Sequence, residues 1–441
     1  MWTPRRVASV ATARLVACGN VASWGRGAIG DSVPSTSSMM MRGDPPSRSA
    51  SSGSNGISGS VIENLTSGER PHWRSGRGTV AYSLATVESP ACRPVIEFLH
   101  SSSLFSALRA GWAASPTIIR PDVRTLAARA PTRIDFGGGW TDVPPYSTEQ
   151  GGCVCCIAIG RYATVELSDA VAARGVGPTS EAGIATAALT RARIDGVRLT
   201  LRSDYPGGAG LGGSSAAGVA AVGALAAWAG TPLAPDELAE RSREIEVDDL
   251  GIAGGRQDHY AAAFGGALGL TFGDSTSAMR IPLSVAAIDA LEAECTVVYT
   301  GQSRISAGTI TAVLDAYRRR DPVVTDALAR MRRLAETMVA ALLRGSVDEL
   351  GALVGEHWEY QRALHPAITT PRIDAIIQRA RAGGAYGAKA LGASGGGCVL
   401  VMAPRAQTAL LRRELAELGE ILPVVVDREG FRVLRADQVV H

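Results

Sequence analysis

The segment Pro206-Gly207-Gly208-Ala209-Gly210-Leu211-Gly212-Gly213-Ser214-Ser215 lies between a strand-like stretch and a helix-like stretch of small residues. Such a loop suits an anion. Without a Cβ, glycines let successive backbone N–H groups turn inward and approach a phosphate. A helix starting at Ser214 adds its unpaired N–H groups and the positive end of its dipole. Ser214 or Ser215 offers a hydroxyl to a phosphate oxygen or to Mg²⁺. No lysine follows the last glycine and the spacing is not G-x-G-x-x-G, so neither a Walker A loop nor a dinucleotide fingerprint is present. The plainer alternative is a Gly-rich turn packed against a neighbour.

Asp258 follows a second Gly-rich turn, Gly251 to Gly255. That position is a loop-to-helix junction, from which a carboxylate can face a cleft and take a proton from an attacking hydroxyl. It could equally cap the helix through Tyr260 and Phe264. Glu246, with Glu244 and Asp248 beside it, precedes Asp258 on a helix-like stretch, where a solvated acidic face is the ordinary reading. Lys389 is the only lysine in the chain, against 43 arginines. Where nearly every lysine has become arginine, a survivor marks a place that wants a compact ammonium, chance survival being the alternative. His259, His357 and His365 have no metal-like spacing and no evident carboxylate partner, so core or surface roles are expected of them.

These groups need a scaffold to hold them. Residues 153–168 read as a strand, and Val197 to Leu201 alternate strictly as a second one. A helix of small residues runs from Ser214 to about Trp228, closed by Gly230 and Pro232, and another covers about 233–248. The second half is mostly helical after a strand at Cys295 to Thr300. Asp321 and Pro322 supply an N-cap and first-turn proline for a helix that stops at Gly345. Ser346 and Glu349 form a capping box for the next helix. Strands return at Cys398 to Met402 and Leu422 to Val426. Strands and helices mix without regular alternation, so the class is α+β.

Bulk properties narrow the function. Apolar residues make up 46% and charged residues 20% of 441, a balance able to bury a core. The net charge of +2 gives no electrostatic reason to expect nucleic acid or an anionic membrane. Cys153, Cys155 and Cys156 sit in an apolar run without zinc spacing, so small buried thiols are expected, as in a reducing, cytoplasmic compartment. Residues 1–123 differ from the rest, with thirteen serines in the first sixty positions and all three asparagines of the chain. Such a segment reads as a disordered or artefactual extension, either a transit peptide or the result of a start placed too far upstream.

Three motifs together resemble the GHMP kinases, the family of galactokinase, homoserine kinase and mevalonate kinase. Pro206–Ser215 is similar to the family's P-x-x-x-G-L-G-S-S-A, with Gly213 in place of the first serine. Thr132-Arg133-Ile134-Asp135-Phe136-Gly137-Gly138-Gly139-Trp140-Thr141-Asp142 resembles the first motif of its sugar kinases. Gly387 to Gly397 resembles the third. The Trp140 form, with Pro144, Pro145 and Tyr146 after it, looks like L-fucokinase. Gly254 to Tyr260, with Phe264-Gly265-Gly266, looks like D-glycero-D-manno-heptose 7-phosphate kinase.

The resemblance implies a two-domain fold, with an N-terminal ribosomal-protein-like α/β domain at 124–290 and a C-terminal ferredoxin-like α+β domain at 291–441. It implies ATP and Mg²⁺ as cofactors and a small-molecule sugar, phosphorylated at its anomeric hydroxyl, as substrate. No nucleic acid or membrane partner is expected, and the state is monomer or homodimer. Asp258 becomes the base, Arg133 and Lys389 its catalytic companions, and Asp142 with Trp140 and Gly139 the sugar contacts. ATP falls to Pro206, Gly207, Gly208, Gly210, Leu211, Gly212, Gly213, Ser214 and Ser215, with Gly395 and Gly396 of the third motif. Mg²⁺ falls to Ser214 and Glu246. Trp358, Tyr360 and Arg362 resemble a substrate-side cluster, though helix packing explains them as well. Arg161, Arg304 and Arg362 are the arginines weighed for a distal phosphate on the sugar. Alternatives are a non-catalytic sensor of sugar and ATP, a relative acting on a non-sugar alcohol, and an ATP-dependent decarboxylase of the isoprenoid branch, which Trp140-Thr141-Asp142 disfavours.

Overall fold

A computed structural model describes residues 124–170, 175–176, 181–302 and 307–435. The extension 1–123 and the side chain of Arg304 lie outside them. Among the described residues no helix is long and apolar enough to cross a membrane.

Two long strands, β1 (Thr125–Gly137) and β2 (Gly152–Asp169), pair antiparallel and form the spine of a seven-stranded sheet. Their register slips between Pro131 and Thr132 and again between Asp135 and Gly137. The first slip falls at a proline, which has no N–H to give the ladder. The second lies where β1 runs into Gly138–Asp142. The 18 residues of β2 serve two further partners. Its second half pairs with β4 (Val197–Ser203), which carries the short parallel β3 (Gly175–Val176). Its first half pairs with β5 (Ala267–Phe272), which continues to β6 (Thr276–Ile281). A second, antiparallel sheet has the order β10 (Glu420–Leu422), β7 (Cys295–Tyr299), β9 (Cys398–Met402) and β8 (Gly387–Ala390). The last described strand, β11 (Arg432–Leu434), returns to the first sheet and pairs with β1.

Side chains of β2 alternate between two cores. Val154 and Cys156 face one with helix Gly213–Trp228, while Cys155 and Ile157 face the other with Met338 of helix Pro322–Arg344. Covered on both faces, the first half of the strand, Gly152 to Ile159, is continuously buried and apolar, which explains the crowded thiols. Cys153, Cys155 and Cys156 are free and buried, and burial pushes each of them up.

Most sequence expectations for the elements hold, and three need correction. Asp321 caps helix Pro322–Arg344, accepting from Val323 N at 2.9 Å and Val324 N at 3.1 Å, and Gly345 ends it at φ 72°. Ser346 stands at the next helix start, but its side chain makes no cap bond. Glu349 instead accepts from Arg344 at 2.7 and 2.8 Å, so the capping box does not form. The strand expected over Leu422 to Val426 ends at Leu422, because Pro423 cannot donate to a ladder. Beyond it the chain crosses to the first sheet, where Gly160 N donates to Val425 O at 2.7 Å. The helix expected to reach 248 is α-helical over Pro235–Glu244 and continues as a π-turn, Ile245–Asp249.

Candidate active site

β1 and the glycine loop meet through backbone and side chain together. Arg133 N donates to Leu211 O at 3.0 Å, and Arg133 Nη1 donates to Gly210 O at 2.7 Å. The same guanidinium holds Asp258 Oδ1, from Nε at 2.7 Å and from Nη2 at 2.6 Å. Burial works against the charge of Arg133, but Asp258 and Asp135 outweigh it and hold the group protonated. Asp258 lies in the first turn of helix Gln257–Phe264 and makes no cap bond there, so it does not serve as the helix cap. Gly212, the N-cap of helix Gly213–Trp228, has φ 74°. A Cβ on Gly212 would sit 3.0 Å from Asp258 Cγ, so the loop lies directly against the acid. The third motif closes on the same place. A Cβ on Gly210 would meet Leu391 O at 2.6 Å, and Cys398 N donates to Ala209 O at 2.8 Å.

One cleft joins these groups. It is lined by Arg133, Asp135, Gly139, Trp140, Asp142, Ser215, Glu246, Gln257 and Asp258, with Gly392 and Ala393 of the third motif. Asp142 is buried, and its Oδ2 accepts from Gln257 N at 3.1 Å while Oδ1 has no partner. Burial raises its carboxyl to about 6, with the Gln257 N–H opposing and Asp258 and Asp135 adding to the rise. Gly255 has no room for a side chain, because a Cβ would fall 1.8 Å from Asp142 Oδ2. Trp140 adopts φ 81°, a conformation that a bulky residue holds only when its surroundings enforce it.

Glu246 gathers both serines of the loop. Ser214 Oγ donates to its Oε1 at 2.6 Å and Ser215 Oγ to its Oε2 at 2.9 Å. His259 Nε2 lies 3.0 Å from the same Oε2, and Ser242 Oγ is 3.0 Å from His259 Nδ1. Burial pushes the Glu246 carboxyl up, but the His259 contact and the two serines outweigh it and hold it at about 2. Glu244, one of its rivals in sequence, is taken by Arg191 at 2.7 Å. The π-turn alters the helical spacing at this point, as such turns often do at functional sites. Sequence reasoning missed His259 because its carboxylate partner lies in another element. It missed Gln257 and Asp135 because nothing in their spacing marks them.

Several expected site residues lie elsewhere. Lys389 is fully buried in β8 and does not line the cleft. Its Nζ donates to Asp135 O at 3.0 Å and Asp135 Oδ2 at 3.1 Å, so it braces the cleft floor and does not face phosphates. Burial lowers its pKa, with Asp135 opposing. Gly392 and Ala393 reach the cleft in place of Gly395 and Gly396, and Gly395 N is spent on Ile368 O at 2.9 Å. Pro206, Gly207 and Gly208 form the outer, more exposed arm of the loop. At Gly213 a Cβ would come 2.3 Å from the Tyr205 ring, whose hydroxyl donates to Gly213 O at 2.7 Å. A serine, which the motif has at this position, would collide with that ring. Trp358 is core, and Arg362 pairs with Glu359 at 2.7 Å on its own helix.

A glycine-lined helix start with an arginine–aspartate pair against it has the parts that phosphoryl transfer to a small molecule requires. Comparisons with known proteins agree. The GHMP kinases N terminal domain matches residues 181–266 and the GHMP kinases C terminal domain matches 338–421. A D-glycero-alpha-D-manno-heptose 7-phosphate kinase of Campylobacter jejuni is 27% identical over 339 residues, covering 71% of this chain and 100% of its own. An L-fucokinase/L-fucose-1-P guanylyltransferase of Bacteroides fragilis is 28% identical over 365 residues, and the chain spans only 38% of that relative's length. A mevalonate kinase of Pyrococcus horikoshii is 30% identical over 249 residues, covering 54% of this chain and 69% of the relative. The crystal structure of a D-glycero-D-manno-heptose 1-phosphate kinase from Bacteroides thetaiotaomicron matches with TM-score 0.59 at 25% identity, over 70% of this chain and 99% of that one. The chain belongs to the GHMP kinases and has their two-domain fold of mixed helices and strands; it is an ATP-dependent phosphotransferase with an alcohol group as acceptor.

Proposed function

We propose that the protein transfers the γ-phosphoryl group of ATP to the anomeric hydroxyl of a sugar or sugar phosphate. The observation that carries the reading is the Arg133–Asp258 pair pressed against Gly210 and Gly212, in one cleft with Asp142. Both contacts from Arg133 use Oδ1 of Asp258. Oδ2 is therefore the oxygen that takes the sugar's proton as the hydroxyl oxygen bonds to phosphorus and ADP leaves. A guanidinium has five N–H donors, and the three spent here leave others for the transferring phosphoryl group. Asp142 and Trp140 fix which oxygen faces ATP.

The donor set at Glu246 suits Mg²⁺. A carboxylate held ionised, with two serine hydroxyls at a phosphate loop, matches an ion that takes one or two protein oxygens plus phosphates. When bound there, Mg²⁺ would neutralise charge on the phosphate oxygens. Lys389 and His259 act through Asp135 and Glu246 and touch no reacting atom.

Acid residues dominate the cleft, which favours an uncharged hydroxyl compound over a carboxylate such as mevalonate. ADP release across free sugars, sugar phosphates and mevalonate tests the reading. Turnover confined to sugars is expected. Turnover of mevalonate alone contradicts it, and no turnover with any acceptor points to a sensor.

A further inference from the structure

The lining of the cleft has two characters. Four carboxylates, Asp135, Asp142, Asp258 and Glu246, share it with one guanidinium among the described lining residues, and Arg133 is already bonded to Asp258 and Gly210. Asp135 Oδ1, Asp142 Oδ1, Gln257 Oε1 and Trp140 Nε1 are buried polar atoms without a hydrogen-bond partner. All four side chains line the cleft, and none of these residues is more than 7% exposed. Such atoms destabilise the site until a ligand satisfies them. Three of the four are acceptors, so they want donors. Hydroxyl groups donate, whereas a phosphate dianion only accepts and would add charge beside four carboxylates in a poorly solvated place.

The remaining wall is apolar, formed by Val143, Ile252, Ala253 and Ile310. Ile252 is 44% exposed, which puts this wall at the mouth. Of the arginines weighed for a distal phosphate, Arg161 and Arg362 do not line the cleft, and Arg304 lies outside the described residues. Arg161 donates to Asp204 O at 3.2 Å, and Arg362 is held by Glu359.

Building on the sugar-kinase reading above, we infer that the acceptor is a neutral aldose with an apolar substituent remote from the reacting hydroxyl, of the 6-deoxyhexose class, and not a sugar phosphate. Its ring hydroxyls meet the partnerless acceptors, and its methyl group meets the wall of Val143 and Ile252.

Two matched pairs test this on the full chain with Mg-ATP, by initial rates and by calorimetric binding. The first pair is L-fucose and its 6-hydroxy counterpart L-galactose. The second is D-glycero-D-manno-heptose and its 7-phosphate. L-Fucose is expected to be turned over with a KM about ten-fold or more below that of L-galactose. The 7-phosphate is expected to have a kcat/KM at least about ten-fold below that of the free heptose. A 7-phosphate preferred over its free sugar overturns the neutral acceptor while leaving the sugar-kinase reading intact. L-Galactose matching L-fucose overturns the apolar-wall assignment alone. Failure of all four sugars overturns this inference and the reading beneath it together.

Discussion

Replacing Asp142 with asparagine separates the cost of the site from its use. Burial, with smaller contributions from Asp258 and Asp135, raises this carboxyl from its ordinary 3.8 to about 6. The folded protein thus holds the proton more tightly than the unfolded chain does, and ionisation at neutral pH works against folding. The penalty accumulates as pH rises through the interval between 3.8 and about 6 and is complete above it. Its full size is about 3 kcal/mol, of which about half is present at pH 5. Between pH 5 and pH 8 the wild type should therefore lose on the order of 1 kcal/mol relative to Asp142→Asn, measured by urea unfolding at each pH. Function should move the other way. A sugar hydroxyl donating to Oδ1 needs the ionised acid, so wild-type kcat/KM for the sugar should fall about ten-fold near pH 5, where about a tenth of the acid remains ionised. Asp142→Asn should lose sugar affinity and show no such fall. Identical pH slopes of stability in both proteins, or an unchanged sugar KM in the variant, would refute the reasoning.

Other substitutions probe the supports. His259→Phe removes a partner from both Glu246 and Ser242, so urea unfolding should show a loss of about 1–3 kcal/mol. The Mg²⁺ concentration for half-maximal rate should rise about ten-fold while the sugar KM holds. Lys389→Met strands Asp135 in the interior and should cost about 3–5 kcal/mol, with Asp135→Asn in the same chain recovering much of it. Gly213→Ser, which restores the family's residue, should destabilise by about 1–3 kcal/mol through collision with the Tyr205 ring, and adding Tyr205→Ala should relieve it.

Local features of this protein were legible in its sequence, and distant pairings were not. The glycine loop, the helix behind it and the Asp321 cap are written in contiguous residues, so their positions could be read directly. Strand β2 was equally clear, although its two-sided burial was not, because only the helices on each face reveal it. Lys389 illustrates the opposite case. Its rarity marked it, but its partner Asp135 lies 254 positions away, and only the pairing of the sheets brings them together. His259 seemed to lack a carboxylate because Glu246 reaches it from the π-turn of another helix. Ser346 and Glu349 had the spacing of a capping box, yet Arg344 offers Glu349 a charged partner that outcompetes a backbone N–H. The glycine at 213 was visible as a departure from the motif, but only the fold shows the Tyr205 ring where a Cβ would fall.

Single-turnover transfer by Asp258→Asn, followed by rapid quench with ATP and the best acceptor of the sugar panel, bears most directly on the assigned chemistry. The rate of phosphoryl transfer should fall by a factor of about 10² or more, with ATP binding nearly unchanged. Transfer at close to the wild-type rate would show that the carboxylate beside Arg133 is not the group that takes the proton.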